Sequence, residues 1–316
     1  MKSIYHFFRL TRLTNLLVIG LTMVVFQLFI NKYVFIGVEG NWANYSFKGL
    51  FDKHVTGDLG FLLLMLSTIL IAAAGNIIND YFDVKADRVN KPDRLIVDRH
   101  IKRRWAMVFH WSFNSIGFLI TAYLSYVHKN WWLVVIAFIS INTLWFYSAV
   151  YKRKFLSGNI MVAFLIAIIP IYVLLYNNPP MGIDCALDTS FLWPPGKLIG
   201  PVVLIVAGIA FVINLIREII KDIADIRGDM HLKASTIPIR LGIKKAKTII
   251  VVLSVPLLAL IAYYYFVVWE FDFTVVKGST MGNGLSFQPI NFSYFLPSII
   301  FALILGVASR VTLLIS

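Results

Sequence analysis

The chain has 316 residues, of which 59% are hydrophobic and only 14% charged. Its apolar residues gather into runs near the ~20 needed to cross a bilayer, which excludes a soluble globular domain and predicts an integral membrane protein. Lys and Arg number 29 against 16 Asp and Glu, for a net charge of +13, and a single cysteine, Cys185, excludes an intramolecular disulfide or a thiolate metal cluster.

From the N-terminus, "MKSIYHFFRLTRLTN" lacks the compact apolar core of a cleavable signal peptide, so the first helix is expected to stay with the protein. Apolar runs predict eight spans, at roughly 14–36, 59–79, 105–127, 131–150, 158–177, 199–220, 247–269 and 293–313, in one all-α transmembrane domain over 1–316. With the N-terminus in the cytoplasm, 23 of the 29 Lys and Arg fall on the cytoplasmic face. Lys32, Lys48, Lys53, Lys129, Lys197 and Lys277 fall on the other. That asymmetry is what the positive-inside rule predicts, so the basic excess is expected to set topology rather than to bind nucleic acid. Cys185 is expected in a loop.

The cytoplasmic acids sit in two loops. Asp80, Asp83, Asp87, Asp93 and Asp98 follow the second span, and Glu218, Asp222, Asp225 and Asp229 follow the sixth. Asn79, Asp83 and Asp87 are spaced i, i+4, i+8, and Asp80 joins at i, i+3, i+7, so a helix continuing past the membrane would carry them along one stripe. Glu218, Asp222, Asp225 and Asp229 repeat the pattern, with Gly228 expected to loosen the last turn. Asn76 and Asn79 add amides to the last turns of a span, where polar groups are costly unless they face a site or the bundle interior.

Like charges at this spacing repel and call for a cation. Oxygen-only ligands without cysteine suit Mg²⁺, which keeps several waters and bridges one or two carboxylates to a substrate phosphate. The interleaved Lys85, Arg88, Lys91 and Arg94, with Arg217, Lys221, Arg227 and Lys233, are placed to contact the remaining oxygens of a diphosphate. Metal and cations together favour departure of a diphosphate leaving group. Each loop alone is explained by a solvated helix extension with internal ion pairs; two loops with one spacing on one face are not.

"NDYFDVKAD" (79–87) resembles the N-D-x-x-D-x-x-x-D motif of the UbiA superfamily of intramembrane prenyltransferases, and "DIADIRGD" (222–229) resembles its second motif, D-x-x-x-D. The resemblance implies a helical bundle around a central cavity with a cytoplasmic cap, and Mg²⁺-dependent transfer of a prenyl group from a polyprenyl diphosphate. It implies metal roles for Asn79, Asp83 and Asp87 and for Asp225 and Asp229, with Asp80 and Asp222 assisting and Arg94 as the basic residue after the first motif. Asp83, Asp87, Asp225 and Asp229 are the candidate catalytic acids, and Lys91, Arg94, Arg88, Lys152, Arg217 and Lys221 the candidate diphosphate ligands. "YSAVYKR" (147–153) resembles the segment supplying Tyr and Lys to the cavity, which nominates Tyr147, Tyr151 and Lys152. "RLTN" (12–15) is similar to the family's R-P-x-N and places Asn15, with Asn76, towards the acceptor. Leu13 and Leu95 depart from the family pattern, and eight spans stand against the usual nine.

"REIIKDIADIRGD" and "NKPDR" look most like the lipid-directed branch, similar to digeranylgeranylglyceryl phosphate synthases, in which a glycerol hydroxyl accepts a geranylgeranyl group. An aromatic acceptor of the dihydroxynaphthoate or hydroxybenzoate type is the nearest competitor. An ion-coupled transporter is the alternative of another class, and it predicts ionisable residues near mid-membrane.

Overall fold

The computed structural model describes residues 2–39, 58–90, 92, 95–177 and 199–263. The eighth predicted span, Cys185, Lys91 and Arg94 lie outside these residues. The described chain is helical: α1 (Lys2–Thr11), α2 (Leu13–Glu39), α3 (Asp58–Asn90), α4 (Arg103–Val127), α5 (Trp131–Ala149), a 3-10 turn (Tyr151–Arg153), α6 (Ser157–Asn177), α7 (Ile199–Ala224), α8 (Ile226–His231), α9 (Ile237–Leu241) and α10 (Ile243–Tyr263). Among the described residues there is no strand, only an isolated bridge between Val97 and Ile101.

Segments Leu59–Val89, Trp131–Ala149, Ser157–Asn177 and Val203–Ala224 are long and apolar enough to cross a membrane. Tyr5–Thr11 and Leu13–Leu28 form a fifth candidate, bent by 54°. The less apolar α4 carries His110, Asn114, Gly117 and Thr121 at helical spacing on its buried face. This face meets α3, where His110 Nδ1 is 3.0 Å from Ala74 O and Ser67 Oγ donates to Gly117 O at 2.7 Å. Small and hydroxyl side chains let the two backbones approach where lipid gives no hydrophobic drive to associate.

α3 packs along α4 and α5, α6 along α7 and α2, and α7 against α10. At one end, Met23, Phe26, Leu64, Leu133, Leu174 and Val206 share one buried cluster. At the motif end the core divides. Leu10, Ile77, Val84, Ile96, Val97 and Ala106 pack beneath the first motif. Ala163, Leu215, Ile219, Ile237 and Ala246 pack beneath the second. Each acidic segment therefore rests on its own apolar base, and contact between α3 and α8 joins the two.

Candidate functional site

α3 runs unbroken for 33 residues, so Asn79 to Asp87 extend the second span as a helix, as their spacing predicts. Within that stripe, however, the acids take different hydrogen-bond partners. Asp80 and Asp83 stand three residues apart, hence ~60° around the helix axis, enough to send them to different partners. Asp80 Oδ1 accepts from Arg12 Nη2 at 2.5 Å. Asp83 Oδ2 accepts from Asn79 Nδ2 at 2.9 Å and from Lys152 Nζ, which also donates to Asn79 Oδ1 at 3.0 Å. Asn79 and Asp83 are each only 7% exposed. Asp87, one turn on, is half-buried.

The Asp80 contact belongs to an elbow. Arg12, at φ 56°, separates α1 from α2, and Asn76 Nδ2 donates to Thr11 O at 2.9 Å, satisfying a carbonyl at the end of α1. Asn76, expected in the acceptor pocket, thus anchors the elbow; one turn of helix sets it beside Asp80, and both face the same neighbour. Asn15, half-buried at the start of α2, donates its backbone N–H to Arg12 O at 2.8 Å.

The second segment also differs from expectation. The helix breaks at Asp225, not at Gly228: α7 ends at Ala224, and Asp225 stands ahead of α8 with φ −96° and ψ 7°. Aspartate favours such boundary positions because it competes for backbone hydrogen bonds inside helices. Gly228 is buried within α8. Buried Glu218 lies between Arg217 Nη1 and Lys221 Nζ, each 3.3 Å from a carboxylate oxygen. Asp222 Oδ2 accepts from Asn159 Nδ2 at 2.8 Å.

The two segments converge. Asp229 lies within electrostatic reach of Asp225 and Asp83 as well as Lys152 and Lys221. Burial raises its carboxyl above the usual carboxylate range, and Asp225 and Asp83 push the same way against the two lysines. For Lys152, burial opposes the charge, but Asp83 and Tyr147 outweigh it and hold the ammonium above the ordinary lysine value. Buried Tyr147 is close enough to feel Lys221, Lys152, Glu218 and Asp83.

Other nominees stand elsewhere. Arg88 is 59% exposed and pairs with Asp98 at 2.8 Å, away from Asp83. Tyr151 does not join Tyr147; it lines an open cleft of ≈ 370 Å³ with Phe138, Ile139, Asn142, Thr143, Phe146 and Met161, and Lys154 Nζ lies 4.7 Å from its ring centre. Arg12 is a contributor that spacing did not nominate, while Glu218, the first acid of the second set, is held by Arg217 and Lys221.

Among the described residues no three His, Cys, Asp or Glu side chains close into a metal cage. Mg²⁺ does not require one, since it binds through one or two carboxylates and fills its octahedron with water and substrate oxygens. The donor set fits it. Asn79 Oδ1 and Asp83 Oδ2 are oxygens arranged about a cation, the Lys152 ammonium, and Asp229 of α8 is near.

A family model described as the UbiA prenyltransferase family matches residues 48–312. Digeranylgeranylglyceryl phosphate synthase of Methanoregula boonei is 34% identical over 196 residues, covering 61% of this chain and 62% of that protein. The synthase of Thermococcus kodakarensis is 30% identical over 66% of this chain and 65% of its own, so the chain spans less than two thirds of both relatives. That of Sulfurisphaera tokodaii is 30% identical over 83% and 80%. A solved structure described as digeranylgeranylglyceryl phosphate synthase in membranes superposes with a TM-score of 0.54 at 20% identity, covering 97% of this chain and 99% of the other. A UbiA homolog from Archaeoglobus fulgidus bound to GPP and Mg²⁺ gives 0.52 at 16% identity, covering 98% and 100%. These two likenesses show the fold.

Proposed function

This chain belongs to the UbiA prenyltransferase family, and from that premise we propose that it transfers a prenyl group, geranylgeranyl, from its diphosphate to the hydroxyl of a prenylglyceryl phosphate, with Mg²⁺. The observation that carries the proposal is the meeting of Asp83, Lys152, Lys221 and Asp229 from segments more than 60 residues apart in the sequence. The acceptor follows the relatives, several of which are named digeranylgeranylglyceryl phosphate synthase. Mg²⁺ follows the donor set and the Archaeoglobus homolog's ligands.

In this scheme Asn79, Asp83 and Asp229 would hold the metal, with Asp87, Asp225 and Asp222 nearby; when bound it neutralises charge on the departing diphosphate. Lys152 and Lys221 donate to diphosphate oxygens, and Arg217 reaches the same region through Glu218. The C–O bond between the prenyl C1 and the diphosphate breaks, and the bonding pair leaves with the diphosphate. The acceptor oxygen forms the new bond to C1, and its proton passes to the released diphosphate. Tyr147, which feels Lys152 and Lys221, would present its ring to the allylic charge. Asp80 positions the α1–α2 elbow through Arg12 and acts on the metal only from outside.

The test is product formation by the purified protein with Mg²⁺, geranylgeranyl diphosphate and geranylgeranylglyceryl phosphate, read by mass spectrometry. Asp83→Ala and Asp229→Ala are each expected to lose about 10²–10³-fold in turnover, the range for removing one preorganised charge stabiliser. Chelation of divalent ions should abolish the product. Undiminished turnover by Asp83→Ala would remove the metal assignment.

A further inference from the structure

Lys152 Nζ donates to Oδ1 of Asn79, the one acceptor atom of that side chain, and to Asp83 Oδ2. Asp83 Oδ2 also accepts from Asn79 Nδ2, so amide, carboxylate and ammonium form a closed ring. With Asn79 and Asp83 both buried, the carboxylate charge requires a cation at this point. Lys152 supplies it from a backbone that cannot easily shift. Arg153 O accepts from Ser235 N at 2.8 Å, Arg153 Nη2 donates to Phe82 O at 3.3 Å, and Gly158 packs against the turn from α6. The mobile part is the four-carbon stem, whose ammonium can turn while its Cα stays fixed.

The oxygens that Lys152 holds are those a divalent ion needs. Two cations on one amide oxygen and one carboxylate repel, so the ammonium and the ion compete for them. We infer that Lys152 is a built-in counter-ion which a divalent cation displaces, and that its released ammonium takes a diphosphate oxygen, so that metal and diphosphate bind as a coupled pair. The inference rests on the diphosphate chemistry proposed above. An ion arriving alone leaves a buried ammonium without its acceptors; an ion arriving with diphosphate gives that ammonium a new anionic partner. Lys221, a like charge beside Lys152, favours its departure from the ring in both cases. An ion pair that only stabilises the fold predicts the reverse: without Lys152, Asp83 is left buried and unpaired, and the site loosens.

The test uses the full chain in detergent, Mn²⁺ as a paramagnetic ion that favours oxygen ligands, and inorganic pyrophosphate, with free ion buffered and binding read by electron paramagnetic resonance. Pyrophosphate is expected to tighten Mn²⁺ binding to the wild type roughly fivefold or more, within the usual range of site–site coupling. Lys152→Met should bind Mn²⁺ alone more tightly than wild type, with little further gain from pyrophosphate, whereas Lys152→Arg, which keeps a cation, should resemble wild type. Folding is checked by circular dichroism. A folded Lys152→Met that binds Mn²⁺ no more tightly than wild type overturns the inference. So does a wild type without pyrophosphate coupling, whether or not the variants fold. If that wild type still transfers prenyl groups, the inference alone fails; if it neither binds Mn²⁺ nor transfers prenyl groups, the functional proposal fails with it.

Discussion

Asp229 carries a cost that its proposed role explains. Its carboxyl is raised by burial and by Asp225 and Asp83, so the folded protein holds that proton more tightly than the unfolded chain does. The sign follows from linkage: this contribution to stability is complete below the unfolded carboxylate value of ~3.9 and is lost as pH rises through the higher folded value. Above that folded value the ionised Asp229 therefore destabilises the fold. With divalent ions chelated, Asp229→Asn should melt above the wild type at pH 7, and the two should converge towards pH 4. A variant that melts lower at pH 7 would mean that the lysines, not the neighbouring acids, govern this carboxylate. Spacing made Asp229 a candidate, since regular intervals of acids are visible in one dimension. Arg12 was not legible as a contributor, because its partner is set by how α1 packs on α3 and alone it is an ordinary charged residue at a helix end. Glu218 stood in the second acidic set, and both of its cations, Arg217 and Lys221, lie within three residues of it on the same helix.

The helices themselves were legible: 20-residue apolar runs placed α2 to α7 close to their observed limits, because no other structure satisfies the backbone in lipid. The breaks were not. Neither Arg12 nor Asp225 is a glycine or proline: Arg12 takes a positive φ at an elbow held by its contact with Asp80, and Asp225 stands at a boundary that an aspartate tolerates but does not by itself announce. The 151–153 turn is the connecting element on which the site most depends, and Gly158 is its support. A Cβ there would lie 2.8 Å from Tyr151 O and 3.0 Å from Lys152 Cα, both backbone atoms with no rotamer to yield. Gly158→Ala should therefore displace Lys152 from Asp83, destabilising by about 1–3 kcal/mol and lowering turnover at least as clearly as it lowers the melting temperature. Gly208, in the middle of α7 with nothing within 4 Å of a Cβ, is the control. Gly208→Ala should be neutral or more stable by up to about 1 kcal/mol from helix propensity. Equal losses at both positions, in thermal melts and prenyl-transfer rates, would show that the turn has no special role.

At the scale of the whole molecule, charge should decide which end faces the cytoplasm. The bundle sets its acidic segments at one end, together with the loop 95–102 that joins α3 to α4, and the turn 128–130 at the other. α4 links these ends over 25 residues, ~37 Å at 1.5 Å per residue, more than the ~30 Å of a hydrocarbon core. The nine acids that the sequence assigns to the cytoplasmic loops do not cancel the 23 basic residues expected on that face, since orientation follows Lys and Arg near the span ends and Asp and Glu count little. The motif end is therefore expected in the cytoplasm, where a soluble diphosphate headgroup is also at hand. Exposed Lys102 and Lys129 flank the two ends of α4 and make suitable reporters. In a Cys185→Ser background, Lys129→Cys should react with a membrane-impermeant maleimide from outside intact spheroplasts, and Lys102→Cys only in inverted vesicles. The opposite pattern would place the acidic site outside the cell despite the positive charge around it, and something stronger than the positive-inside bias would have to hold it there.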